Sequence, residues 1–285
     1  MVSNIQNPIP SSHWGTPQQL QNQSQRQVYH WLVRHQAWWM SPIVLVIALI
    51  GWEFLVRWQQ LPSFILPSPL EVANKFVIVS KDGTLLRHTW ATLVEIGLGL
   101  AIGLSVAIFL GYWLGKSRTI ERLVAPYIVA SQSVPIVAIA PLLVIWLGSG
   151  LSSKVLVCAL IVFFPTLVST MVGIRMVDPM QRALMRSYAA SRWQTFRLLE
   201  VPAALPVIFG GLKLSVILSV VGAVVGEFMG ADVGLGFLIN LARGILDTPL
   251  MFVAVLSLVI IAQGLYVTVS LIERVAIAWQ RQVDL

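Results

Sequence analysis

Charged residues, cysteine and metal-binding clusters are scarce in this sequence. Asp, Glu, Lys and Arg make up 11% of its 285 residues, whereas an ordinary soluble domain has roughly 25%. Together with 57% hydrophobic residues, this scarcity argues against a single water-soluble core. The one cysteine, Cys158, excludes an intramolecular disulfide. The four histidines form no cluster with acidic residues at metal-ligand spacing, so we expect no metal site.

Residues 1–37 lack the apolar core of a cleavable signal peptide. They are rich in Gln, Ser, Asn and Pro, a composition that predicts a disordered tail. The net charge of +7 could indicate nucleic-acid binding. No basic cluster is interleaved with aromatic residues, however. We therefore expect no nucleic-acid partner and attribute the charge to membrane orientation.

Six long apolar runs are present. About 20 residues suffice to cross a bilayer as a helix, and none of the runs alternates with period two, as a β-barrel strand does. The sequence therefore predicts an all-α polytopic membrane protein with six transmembrane helices. The runs extend over about Trp38–Val56, Trp90–Leu114, Ile120–Leu147, Leu151–Ile174, Val207–Met229 and Pro249–Ile272. Pro126, Pro135 and Pro141 interrupt the third run.

The distribution of Lys and Arg predicts the orientation of these helices. Six spans place both termini on one side, where 13 of the 19 basic residues fall, and the other 6 lie on the opposite side. Because cytoplasmic loops collect basic residues, both termini and a C-terminal tail, 273–285, are expected in the cytoplasm. Residues 38–89 then comprise the first span and an external loop with a short helix that begins at Pro69. The core is the five-span region 90–272.

Pairs of glycines occur four residues apart in the second span. Gly99 is followed by Gly103, and Gly111 by Gly115. Small residues at this spacing let helix backbones approach closely. We interpret them as packing within the chain in preference to a dimer contact.

A few polar side chains interrupt the apolar spans. Glu227 and Glu95 are costly against lipid, so each is a candidate for an aqueous pathway unless it reaches the membrane surface or pairs with a basic residue. Ser131, Gln132 and Ser133 lie beside a proline, where they could bind substrate or satisfy backbone groups that the proline leaves free. We favour a translocation pathway for these four positions: Ser131, Gln132, Ser133 and Glu227.

The loop between the fourth and fifth spans is unusually polar. It contains "ALMRSYAASRWQTFRLLEVPAALP", and its pattern predicts two short helices, about Met180–Tyr188 and Ser191–Leu199, joined by a tight turn of small residues. Pro202 and Pro206 are expected to end the second helix before the fifth span. An apolar face with basic flanks suits either docking to a soluble protein or lying in the lipid headgroups. The residue pattern leaves both open.

This loop resembles the EAA loop of binding-protein-dependent ABC importer permeases. The closing Leu199-Glu200-Val201-Pro202 fits the family pattern in spacing and in its final proline. Departures from the family residues occur at Ala183, Leu184, Met185, Ala189 and Val201. The stretches "LPSPLEV", "QSVPIVAIAPLLVIWLG" and "GEFMGADVGLGFLI" are similar to the nitrate, sulfonate, taurine and bicarbonate branch. "FPTLVSTMVGIRMVDP" is nearest to the variant that carries thiamine pyrimidine precursors.

The resemblance implies a type-I ABC importer permease in a bacterial plasma (inner) membrane. Two permease chains, expected to be a homodimer, would form the pathway through the lipid bilayer. Two cytoplasmic ATPases would hold ATP and Mg²⁺, with no cofactor in this chain, and an external solute-binding protein would deliver a small anionic or polar solute or a thiamine pyrimidine precursor. The cytoplasmic loop, 175–206, would couple ATP hydrolysis to transport. The coupling segment within it comprises Arg186, Ser187, Tyr188, Ala189, Ala190, Ser191 and Arg192.

Two other classes of protein remain as alternatives. An intramembrane enzyme would need a nucleophile–base pair or metal ligands at matching depth, and the sequence offers none. A stand-alone secondary transporter would favour paired inverted repeats and more charge within the membrane. We find no such repeat. The sequence therefore predicts a transport subunit that is not itself an enzyme.

Overall fold

The computed structural model describes residues 43–278, and every regular element in this range is helical. Helix α1 covers residues 43–58 and belongs to a unit that ends at Leu61. The second unit contains α2 Pro69–Lys81, α3 Thr84–Lys116, α4 Arg118–Ser133, α5 Ile136–Leu147, α6 Leu151–Arg175, α7 Pro179–Ser187, α8 Arg192–Thr195, a π-helical turn Phe196–Glu200, α9 Val201–Phe228, α10 Leu235–Gly244 and α11 Thr248–Ala276. The predicted tails, 1–37 and most of 273–285, lie outside the described residues.

Four helical stretches of the described range are long and apolar enough to span a bilayer. They are Thr84–Lys116, Leu151–Arg175, Arg192–Phe228 and Thr248–Ala276. Helices α4 and α5 form a fifth candidate if this bent pair counts as one span. The predicted first span begins at Trp38, outside the described residues, and α1 covers its remainder from residue 43 to Val56. The all-helical membrane class is thus confirmed, while the count of six spans stays a prediction.

The third predicted span is a pair of helices bent by 87°. The bend lies at Val134 and Pro135, because a proline restricts the preceding residue to extended conformations, and Val134 has φ −83° and ψ 119°. Pro126 and Pro141 remain inside α4 and α5. Of the three prolines expected to interrupt this span, one therefore breaks it.

The short helix expected after the first span is α2. Pro69 occupies its first turn, and Ser68 and Glu71 form a reciprocal capping box in which each side chain accepts from the other's backbone N–H. An ion pair between Lys75 and Asp247 connects α2 to the cap of α11. The predicted start of this helix at Pro69 is confirmed.

Helices α3, α6 and α9 form the core of the second unit, and α6 packs extensively against both of the others. The glycines of α3 make the close approach possible, since a Cβ atom added to Gly103 would lie 2.7 Å from the carbonyl oxygen of Ala159. Gly99, Gly111 and Gly115 meet α6 in the same way. The prediction that they pack within the chain is confirmed.

The second helix of the polar loop does not end before the fifth span. A continuous helical stretch runs from Arg192 to Phe228, so the expected stop at Pro202 and Pro206 is wrong. The π-helical turn explains the difference, because the N–H of Val201 bonds to the carbonyl of Phe196 and shifts the register by one residue. Pro202 then lies in the first turn of α9, where a missing N–H is tolerated.

Candidate functional site

The polar loop folds as two capped helices. Asp178 caps α7, its carboxylate accepting from the Met180 N–H at 2.8 Å. A capping box starts α8, in which the Ser191 N–H donates to the Gln194 side chain at 2.7 Å and the Gln194 N–H donates to the Ser191 hydroxyl at 3.2 Å. The two short helices predicted from the sequence are thus present, with α7 at Pro179–Ser187 and α8 at Arg192–Thr195.

A tight turn joins the two helices at Ala189. This residue has φ +53°, a left-handed conformation that favours glycine and that alanine adopts at some energetic cost. The Ala189 N–H bonds to the Arg186 carbonyl and the Ala190 N–H to the Met185 carbonyl, each at 3.0 Å. The turn therefore terminates α7 through backbone bonds and needs no large side chain.

An apolar stripe runs along the outer side of α7. Met180, Leu184 and Tyr188 are spaced four residues apart, so they lie on one helix face. Met180 is 79% exposed and Tyr188 is 77% exposed. Trp193 of α8 is also exposed. Every residue of the coupling segment is exposed except Ala190, which is half-buried.

Buried polar contacts anchor the inner side of the loop. Glu200, at the end of the π-helical turn, is only 1% exposed. It accepts from the Lys116 ammonium at 2.7 Å and from the Tyr112 hydroxyl at 3.2 Å, both at the end of α3. Arg182 of α7 donates to the Ile174 carbonyl at 2.8 Å and lies 3.9 Å from Glu200. Sequence reasoning did not assign Glu200 a role, although a glutamate between Leu199 and Val201 was a usable signal.

A cavity of about 450 Å³ lies where the α4–α5 break faces α6 and α9. Ser131 and Gln132 line it, together with Phe164, Ser169 and Leu214, and none of its lining residues is charged. Ser133 is exposed at the same break but does not line the cavity, and its hydroxyl donates to the Val129 carbonyl of its own helix.

Glu227 does not line this cavity either. It is 1% exposed and lies inside the helix bundle, where Thr92 donates to one of its carboxylate oxygens at 2.6 Å and the Gly236 N–H donates to the other. Glu95 pairs with Lys154 at 3.0 Å. The structure therefore separates Glu227 from Ser131 and Gln132, and its place on a pathway stays a prediction.

Residues 99–278 match the family described as the binding-protein-dependent transport system inner membrane component. The chain belongs to this family. The permease is 46% identical to the riboflavin transport system permease protein RibX of Chloroflexus aurantiacus, over 84% of its own length and 89% of that protein. It is 31% identical to the formylaminopyrimidine transport permease protein ThiX of Halalkalibacterium halodurans, covering 84% and 95%. It is 29% identical to the taurine transport system permease protein TauC of Escherichia coli, covering 92% and 96%.

Family membership explains the long apolar spans of this chain. The permease is the membrane subunit of an ABC transporter, consistent with the resemblance found in the polar loop. The family works with an ATP-binding subunit and a solute-binding protein. The named relatives are transport permeases and not enzymes, and the family description places this chain in an inner membrane.

Proposed function

We propose that this permease is the membrane subunit of an ATP-driven importer and that the coupling segment, Arg186–Arg192, docks its ATPase. The observation that carries the proposal is the combination of an exposed apolar stripe outside and a buried ionic anchor inside. The exposed stripe of Met180, Leu184 and Tyr188 is an aromatic and aliphatic surface. Side chains of this kind can anchor a protein interface. Exposed Arg186 adds charge at the edge of that surface.

The inner anchor gives the loop a means of transmitting movement. Glu200 ties the loop to the end of α3 through Lys116, and α9 continues directly from the π-helical turn. A displacement of α7 and α8 by the ATPase would therefore reach α3 and α9 without passing through a flexible linker. In this proposal, two ATPases hold ATP and Mg²⁺, and they act on two permease chains arranged as a homodimer.

For the pathway, we propose that cargo passes the cavity at the α4–α5 break. Ser131 and Gln132 supply hydroxyl and amide groups there, and Ser133 adds a hydroxyl at the same break. A proline-broken span with polar residues is where transporters often hold substrate. An external solute-binding protein would deliver the cargo to this level, and both termini would lie in the cytoplasm.

The chemistry of the cavity favours an uncharged, flat heterocycle of the riboflavin kind over a small anion. A sulfonate or nitrate would be stabilised by a cationic side chain, and the lining contains none. Phe164 supplies an aromatic surface, while Ser131 and Gln132 supply polar edges. The 46% identity to RibX, against 29% to TauC, supports the same choice. Small anions such as sulfonates and nitrate, the zwitterion taurine, and thiamine pyrimidine precursors are the competing cargoes.

The test is uptake by cells that express the permease together with its ATPase and its solute-binding protein. We expect accumulation of radiolabelled riboflavin and none of radiolabelled taurine, and loss of uptake when the ATPase carries an inactivating substitution. Uptake that persists without ATP hydrolysis would contradict the importer proposal. Taurine uptake without riboflavin uptake would contradict the cargo proposal alone.

A matched pair of substitutions tests whether the cargo binds in the cavity. Gln132→Leu removes the amide from the lining and should lower riboflavin uptake by about tenfold, because a polar edge of the cargo loses its partner. Gln263→Leu makes the same change at an exposed position of α11 away from the cavity and should leave uptake unchanged. Equal uptake by the two variants would place the cargo elsewhere.

A further inference from the structure

Two buried carboxyl groups and one lysine meet where α3, α6 and α9 pack together. Glu95 is 2% exposed and Glu227 is 1% exposed, and their carboxyl groups are neighbours. Lys154 of α6 is also buried, and its ammonium lies 3.0 Å from Oε1 of Glu95. If every group were ionised, two negative charges would face one positive charge. The cluster would then carry an uncompensated charge inside an apolar bundle.

The surroundings of Glu227 are those of an ionised carboxylate. The Thr92 hydroxyl lies 2.6 Å from Oε1, closer than the 3.1 Å that separates it from the His88 carbonyl of its own helix, and it donates to the carboxylate. The Gly236 N–H donates to Oε2. Both oxygens therefore accept, and a proton placed on either one would compete with the donor that this oxygen already faces. Charge-assisted bonds of this type are stronger than bonds between neutral groups.

Glu95 differs from Glu227 in that one of its two carboxyl oxygens has no hydrogen-bond partner. Its Oε1 accepts from Lys154, but its Oε2 is buried without a hydrogen-bond partner. Buried oxygens of an ionised carboxylate are rarely left unpaired, because the lost hydration is not replaced. A proton on this oxygen turns it into a donor that faces the neighbouring Glu227 carboxylate.

We infer that the Glu95–Glu227 pair holds one proton, carried on Oε2 of Glu95 and shared with the Glu227 carboxylate. With that proton bound, the cluster contains one ammonium, one carboxylate and one neutral carboxyl group, and its net charge is zero. The ligand is thus a proton, and the permease contains a buried proton site away from the cavity and the coupling segment.

The site fastens α10 to the core. The α9–α10 turn places Gly234 at φ +130°, and its carbonyl and N–H contact the Nδ1 atom of His88 at 3.0 Å. The Leu235 N–H donates to the Thr92 hydroxyl at 2.9 Å, and the next N–H, from Gly236, reaches Glu227. The start of α10 is therefore bound to α3 through His88 and Thr92, and to α9 through Glu227, which is one of the two residues that share the proton.

The other titratable groups that face the pair are few. Helix α3 contributes His88, and α6 contributes Lys154 and the thiol of Cys158. Helix α10 contributes backbone N–H groups, while its one charged residue, Arg243, is exposed. Among the described residues that face the pair, Lys154 is the one with an ammonium paired to a carboxylate, and the second carboxyl group has no such partner.

The test compares two glutamine variants in the full-length permease reconstituted in nanodiscs. Glu95→Gln reproduces the neutral group, with an N–H in place of the acid proton, and should leave folding and the thermal midpoint near wild type. Glu227→Gln places an amide N–H against donors, so it should lower the midpoint and the yield of folded protein. Equal damage from the two variants would overturn the assignment of the proton to Glu95.

Infrared spectroscopy detects a protonated carboxyl group directly. Wild type at neutral pH should show the C=O stretch of a protonated carboxyl group, and Glu95→Gln should lack it. Glu53→Gln, which alters a partly exposed ion pair with Arg57, should retain it. Absence of the band from wild type, or its persistence in Glu95→Gln, would contradict the proposal.

A pH series adds an independent readout. The native state would hold a proton that a solvated glutamate of the unfolded chain releases above its ordinary pKa of about 4.3. Stability should therefore fall as pH rises above that value, by about tenfold in the folded-to-unfolded ratio per pH unit, until the native pair itself loses the proton. Glu95→Gln should remove this part of the slope, while the contribution of His88 remains in both proteins. The slope should be the same in NaCl and KCl. A slope that depends on sodium would identify a bound cation in place of the proton.

Discussion

Thr92 illustrates how much a single buried hydroxyl does in this permease. It is fully buried, donates to Glu227 at 2.6 Å and accepts from the Leu235 N–H at 2.9 Å. One side chain thereby satisfies a carboxylate and an otherwise orphaned N–H at the start of α10. Its hydroxyl also lies 3.1 Å from the His88 carbonyl of its own helix, the contact that a threonine in an apolar span usually makes. The sequence could not show the contacts with Glu227 and Leu235, because these residues are 135 and 143 positions away.

Thr92→Val removes both bonds while preserving the shape of the side chain. We expect a loss of stability of about 1–3 kcal/mol, since two buried polar groups lose their partner. Thr268→Val is the matched control, because Thr268 is exposed and bonds only to the Gly264 carbonyl of its own helix. Thermal unfolding of both variants in nanodiscs decides the point, and a midpoint for Thr92→Val equal to that of the control would show that the network contributes little.

At the coupling loop, the buried residue that connects two elements is Glu200, which binds Lys116 at the end of α3. Glu200→Gln replaces a buried carboxylate beside Lys116 with a neutral amide, so a charge-assisted bond of about 1.5–3 kcal/mol is lost. We expect faster hydrogen exchange in residues 179–200 and weaker coupling of ATP hydrolysis to uptake. Glu121→Gln, which breaks a more exposed ion pair with Arg175, should change exchange there very little. Unchanged exchange in Glu200→Gln would remove Glu200 as the anchor.

The helices themselves divide into parts that the sequence predicts and parts that it does not. Long apolar runs predict α3, α6, α9 and α11, and the Ser68-Pro69 start predicts α2, because these signals are local. Prolines mislead at Pro202, which follows the π-helical turn and lies in the first turn of α9, and at Pro206, which remains inside the same helix. The local sequence does not distinguish Pro135, where the chain bends, from Pro141, which remains inside a helix.

Alanine substitutions at two glycines of α3 are expected to change stability in opposite directions. A Cβ atom at Gly103 would lie 2.7 Å from the Ala159 carbonyl oxygen, whereas one at Gly97 would meet no atom within 4 Å. Gly103→Ala should therefore force α3 from α6 and destabilise by about 1–3 kcal/mol. Gly97→Ala should stabilise by about 0.5–1 kcal/mol, because alanine loses less backbone entropy in a helix. Denaturation of the two variants side by side measures both signs, and the same sign for both would contradict the packing described.

The charge clusters mark the limit of sequence reasoning about the whole chain. The count of basic residues on each side includes Lys154 and Lys116 as charges that set orientation. In the structure, Lys154 is buried and paired with Glu95, and Lys116 binds Glu200. The number of Lys and Arg residues on each side can be counted without tertiary information. The ion-pair partners of Lys154 and Lys116, however, are 59 and 84 positions away in sequence. Only the folded chain brings them together.

The predicted orientation can be tested in intact cells. In a Cys158→Ala background, Met180→Cys and Lys81→Cys each place one thiol at an exposed position. The positive-inside distribution predicts that an impermeant thiol reagent labels position 81 and not position 180. After the cells are lysed, both should react, which controls for accessibility. The reverse pattern in intact cells would place the coupling segment outside and exclude an ATPase partner there.

Docking of the ATPase on the coupling segment is tested most directly by charge at Ala189. Asp and Asn both tolerate the left-handed conformation that Ala189 adopts, so Ala189→Asp and Ala189→Asn differ mainly in a charge placed within the contact. Leu246→Asp puts the same charge at an exposed left-handed position in the turn between α10 and α11. The measurement is capture of the ATPase by each purified permease, with uptake and expression followed in parallel. We predict that Ala189→Asp captures at least tenfold less ATPase while Ala189→Asn and Leu246→Asp capture as much as wild type; full capture and uptake by Ala189→Asp would contradict docking at this segment.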